Sequence, residues 1–109
     1  MAIQEAVKEA ITQYFHAWNN YDADALKDCS DPLSTEASVA LLLNLAAAKR
    51  AGVTITAHDS RIVHVEGSMA IVETGVSVLG KPEAIWHLLR QTNVAWKVVV
   101  RLFTEFSAS

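Results

Sequence analysis

The chain has 109 residues, of which 51% are hydrophobic and 19% charged, with a formal net charge of −3. That balance is too apolar for a disordered chain, and the length suits one domain spanning 1–109 around one core. Without a basic stripe to neutralise phosphates, neither a nucleic-acid nor a membrane partner is expected, and the single Cys29 leaves no disulfide and no Cys/His set for a structural metal.

From Ile3 the apolar residues Val7, Ala10, Ile11, Tyr14 and Trp18 recur at three- and four-residue steps, which predicts an amphipathic first helix ending at Asn19-Asn20. Its acidic start, with Glu5, is unlike a secretion signal, so a cytoplasmic location is expected. Asp22 can cap a short second helix through Ala25, Leu26 and Cys29, closed by Asp31-Pro32. Ser34 is the expected N-cap of a third helix, with Glu36 in its first turn and Lys49-Arg50 before a Gly52 stop. Val39 to Leu45 surround most of that helix with apolar side chains, so it should be covered on more than one side, one cover coming from a partner subunit. Its apolar run is shorter than the roughly 20 residues of a membrane span.

After Gly52 the period changes to two. Val53 to Val65 and Ala70 to Val78 predict a long hairpin turning at Glu66-Gly67-Ser68, with Asp59-Ser60 placed to form a bulge. Glu83 to Gln91 is ambiguous, because Ile85, Leu88 and Leu89 have helical spacing while Trp86, Leu88 and Arg90 alternate; local pattern slightly favours helix. Trp96 to Phe106 reads as a final strand. Helices followed by a strand meander imply an α+β domain with the helices segregated to one face of an antiparallel sheet.

The segment from Ala10 through Tyr14, Trp18 and Asp22 to Leu26 resembles the opening of the nuclear transport factor 2-like superfamily, which includes ketosteroid isomerase and polyketide cyclases. Trp86-His87-Leu88-Leu89-Arg90 and Trp96-Lys97-Val98-Val99-Val100 resemble its last two strands. This resemblance turns Glu83 to Gln91 from helix to strand. It implies a cone-shaped cystatin-like fold, with a strongly curved sheet of about four strands wrapped around the long helix, an apolar pocket at the open end, and a dimer through the outer sheet face. Two departures weaken any implied catalysis. Relatives carry a strand pair between the second and third helices, often with the proton-abstracting carboxylate, whereas Cys29-Ser30-Asp31-Pro32 leads here almost directly to Ser34. The position matched to ketosteroid isomerase's penultimate-strand acid is Trp86, leaving Tyr14 alone of that enzyme's oxyanion pair.

The expected ligand contacts are Tyr14, Trp18, Trp86, Leu88 and Arg90, with Arg90 the strong cation among the pocket walls if its strand turns that face inward. Core packing is the stronger reading for Tyr14 and about as strong for Trp18. A rim position is equally open to Arg90. His58, His64 and His87 are expected at a surface or interface, and Cys29 as a small core hydrophobe. Asp31 is the best substitute base, though a turn residue before Pro32 is the stronger reading. No catalytic triad, phosphate loop or metal set is present, so no cofactor or metal is expected. The leading expectation is a homodimeric domain that binds a small apolar molecule. An isomerase, cyclase or hydratase using Tyr14 and Asp31, and a purely assembling module, are the alternatives.

Overall fold

A computed structural model describes residues 3–106; Met1, Ala2 and residues 107–109 lie outside them. Three helices, α1 (Ile3–Asn19), α2 (Ala23–Asp28) and α3 (Thr35–Ala51), precede four strands, β1 (Ile55–Glu66), β2 (Met69–Val78), β3 (Lys81–Gln91) and β4 (Trp96–Phe106). The strands form one antiparallel sheet in the order β1-β2-β3-β4.

The helix boundaries sit where local chemistry places them. The Asp22 side chain accepts from the Ala25 N–H and the Ser34 hydroxyl from the Ala37 N–H, both at 3.1 Å, and Gly52 ends α3 in the left-handed region at φ 68°. α1 buries Val7, Ile11, Tyr14, Phe15 and Ala17 against the sheet. Each fully buried aliphatic side chain in that stripe contributes about 1.5–3 kcal/mol.

Glu83 to Gln91 lies wholly in β3. Ten consecutive pairings with β2, from Met69–Arg90 to Val78–Lys81, supply the backbone hydrogen bonds that its helical spacing would otherwise have had to find within the segment.

Bulges bend the sheet. Ala57 and Ser60 pair with Val76 and Thr74, so His58 and Asp59 together oppose Gly75, close to the expected position. β4 carries two more irregularities, at Val99 and Leu102, where one residue is skipped in the pairing with β3. On the concave face Ala70, Val72, Thr74 and Val76 of β2 are buried, and Ala70, Val72 and Val76 share one core cluster with the buried residues of α1.

No strand pair stands between α2 and α3. The connection instead makes a single parallel bridge, Ser30 to Val98, in which the Asp31 N–H donates to the Val98 carbonyl at 2.7 Å and the Val98 N–H to the Cys29 carbonyl at 2.8 Å. It thereby pairs part of the free edge of β4. α3 departs from expectation. Leu45 is its one buried residue, while Val39 and Leu43 are 51% and 64% exposed, so within this chain it is covered on one side only. Its outward apolar residues Val39 and Leu43 are left to solvent within this chain.

Candidate ligand-binding cavity

A cavity of about 470 Å³ lies between α1, α3 and the concave sheet face. Ala37, Ala40, Leu41 and Asn44 recur at helical steps, so one face of α3 roofs it. Tyr14 and Trp18, one turn apart on α1, form the inner wall together with Phe15, and β3 and β4 supply Ile85, His87, Val98 and Arg101. A second depression of about 510 Å³ is more open and runs along the outer side of α1 and α2, past Gln13, His16 and Asp28. It contains no buried polar group.

The aromatic residues surround His87. Its ring lies 5.2 Å from that of Tyr14 and 5.6 Å from that of Phe15, both edge to face, and Tyr14 packs edge to face on Trp18 at 6.4 Å. His87 is 2% exposed, and its Nδ1 is buried without a hydrogen-bond partner. Burial, reinforced by the neighbouring Arg101 charge, lowers its pKa to about 4, so the imidazole is neutral at pH 7. Burial also pushes the Tyr14 hydroxyl above its ordinary value, with Trp18 and Arg101 acting in the opposite direction. The Trp18 side chain lies within hydrogen-bonding reach of that hydroxyl.

β3 turns the opposite face inward from the one expected. Ile85, His87 and Leu89 are buried on the concave side, while Trp86, Leu88 and Arg90 stand on the convex side. Trp86 stacks there on Phe103, with centroids 4.9 Å apart and planes 23° from parallel. Both faces of this strand are apolar, so alternation alone could not choose between them, and the pairing of His87 with buried Val72 decides it. Arg90 therefore does not face the cavity. Its Nε and terminal nitrogen donate to the Asp31 carboxylate, the Nε at 3.0 Å. Ser30 and Pro32 line the cavity, but Asp31 between them does not, and its carboxylate is neutralised by Arg90.

Of the cavity residues that sequence pattern does not mark, His87 and Arg101 matter most: His87 is buried rather than at a surface or interface, and the two β4 irregularities obscure which face Arg101 joins. Through the pairing Arg101 with His87, its side chain shares the concave face. His58 and His64 are exposed, and Cys29 is partly buried against the core, its thiol pushed up by burial with Lys97 opposing. Among the described residues no group of three or more His, Cys, Asp or Glu side chains could hold a metal, and no helix is long and apolar enough to cross a membrane.

A helical layer on one face of a bent four-stranded antiparallel sheet, enclosing a cavity, defines an α+β cone. The chain adopts the nuclear transport factor 2-like, or cystatin-like, fold, as comparison with solved structures shows. A proposed dehydratase of the nuclear transport factor 2-like family from Streptomyces avermitilis matches with TM-score 0.74 and 15% identity over 96% of both chains. A proposed aromatic ring hydroxylase from Novosphingobium aromaticivorans matches with TM-score 0.76 and 15% identity over 100% of this chain and 93% of that one. A proposed polyketide cyclase from Sinorhizobium meliloti matches with TM-score 0.52 and 23% identity, covering 83% and 93% respectively. No protein-family model and no curated protein matches the sequence.

Proposed function

We propose that this domain binds a small, largely apolar molecule in the cavity beneath α3 and carries out no acid–base chemistry of the isomerase kind. The observation that carries this reading is the cavity of about 470 Å³, apolar over most of its wall with a few convergent polar groups; ligand sites are typically about 300–1,000 Å³ and built in this way. An aromatic ring and a polyketide, the molecules named for two of the similar structures, are of the kind such a cavity accepts.

The polar groups favour binding over proton transfer. A general base works best with a pKa near the working pH, whereas His87 is held near 4 and Tyr14 above its ordinary range. Asp31, the carboxylate an isomerase mechanism would need, pairs with Arg90 outside the cavity. A panel of neutral aromatic and polycyclic compounds should contain members that raise the melting temperature by 10 °C or more at about 100 times Kd, since about 2.7 kcal/mol is then added. Ala40→Trp, which fills the space under α3, should abolish the rise, and Trp86→Ala on the convex face should leave it in place. A panel without a single stabilising compound would sink the proposal.

The same reading gives the convex face, with Trp86, Leu88 and Phe103, to a second copy of the chain. Phe103 is 49% exposed and stacks on Trp86, an apolar pair on the convex face that a second copy could cover. Light scattering should report a dimer that Phe103→Glu converts to a monomer. A monomeric parent protein at micromolar concentration would remove this part.

A further inference from the structure

The cavity wall carries a charge imbalance. Arg101 is its one ionised residue among those described, no carboxylate lines it, and neither ion pair among the described residues, Arg61–Glu73 or Arg90–Asp31, involves Arg101. This stands against a chain whose net charge is −3. The guanidinium shares the concave face with its cross-strand neighbour His87, and Tyr14 lies edge to face on that imidazole at 5.2 Å. Most of the remaining wall is apolar, with Ile85, Val98, Val99 and Leu41 among it, and Ser30 and Asn44 are its uncharged polar residues.

We propose that the ligand is an apolar carboxylic acid, bound with its carboxylate at Arg101 and the Tyr14 hydroxyl and its hydrocarbon body under α3. This rests on the cavity being a ligand site. Arg101 lines the cavity while staying exposed, and its guanidinium offers a carboxylate two parallel N–H donors. The Tyr14 hydroxyl stays protonated across the neutral range and can donate a further hydrogen bond. A neutral His87 adds no second charge, so the site is matched to a single anionic group rather than to a dianion such as phosphate.

The test uses two probes of one shape, 2-naphthylacetate and 2-naphthylacetamide, titrated calorimetrically into the full chain at pH 7. The carboxylate should bind about tenfold more tightly than the amide. Arg101→Gln should erase that preference by bringing carboxylate affinity down to the level of the amide, Arg101→Lys should keep part of it, and Arg90→Gln on the convex face should leave it intact. Equal binding of the two probes would overturn the carboxylate assignment and leave the cavity as an apolar site. Loss of both affinities in Arg101→Gln would make this residue a packing element and also overturn it. If neither probe binds, and the neutral panel also fails, both the assignment and the ligand-binding reading fall together.

Discussion

Acidification from pH 7 to pH 5 is expected to weaken the folded chain by about 2 kcal/mol through His87 alone, rising to about 3 kcal/mol by pH 4. In the unfolded chain the imidazole has its ordinary pKa of 6.5, whereas burial and Arg101 lower it to about 4 in the fold. Between those values the unfolded state takes up a proton that the folded state refuses, so stability falls with falling pH through this window. Above pH 6.5 both states are neutral and the contribution is flat. Below about 4 both are charged and it is flat again. At about 1.4 kcal/mol per unit, the shift sets the size of the effect. Urea unfolding at pH 7 and pH 5 checks it when the parent is compared with His87→Gln. The variant should lose the His87 share of the slope, and since carboxylates titrate alike in both proteins, parallel pH profiles would show that His87 is not held neutral in the fold. A ligand bound at Arg101 should protect against this acid loss only to the extent that it binds at pH 5.

Asn19→Ala should cost about 2–3 kcal/mol, because one amide satisfies both backbone groups of Ile55. The Asn19 Nδ2 donates to the Ile55 carbonyl at 2.6 Å, and its Oδ1 accepts from the Ile55 N–H at 2.7 Å. Both residues are partly buried, so truncation leaves a donor and an acceptor at the start of β1 with poor access to water. Near the clamp, the Tyr21 hydroxyl donates to the Val53 carbonyl at 2.9 Å, so the end of α1 holds the segment entering the sheet at two points. For a domain of this length the expected loss is a melting temperature lower by about 10–20 °C. Asn19→Asp keeps the acceptor and loses the donor, so it should fall between Asn19→Ala and the parent. A change of less than about 3 °C in Asn19→Ala would show that solvent replaces both bonds. Ile55 also lines the cavity, so the clamp positions part of the binding wall.

The two effects differ in how far they could be foreseen. Asn19 is visible in the sequence only as the end of a helix, because its partner lies 36 residues away and no local rule connects them. His87 is visible only as a lone polar residue in an apolar strand, for which a surface position is the usual outcome. Its burial follows from the strand's register, and register is read from the neighbouring strand. Arg101 is further removed still, since each irregularity in β4 shifts which side chains face the helices.

Features that close within a few residues are legible in the amino-acid order alone. The caps at Asp22, Ser34 and Gly52, the turn at Gly67, and the change from helical to strand period all depend on hydrogen bonds and side-chain directions inside one short segment. The absence of a strand pair after α2 was likewise legible, because the four residues between Cys29 and Ser34 cannot hold one. The tertiary structure alone decided which face of β3 lines the cavity, that Arg101 rather than Arg90 is its cation, and that α3 is a roof covered on one side. Those outcomes depend on pairing between strands and on where a short linker lays a helix. Both faces of β3 and nearly every side of α3 are apolar, so hydrophobic pattern could not rank the arrangements that packing finally separates.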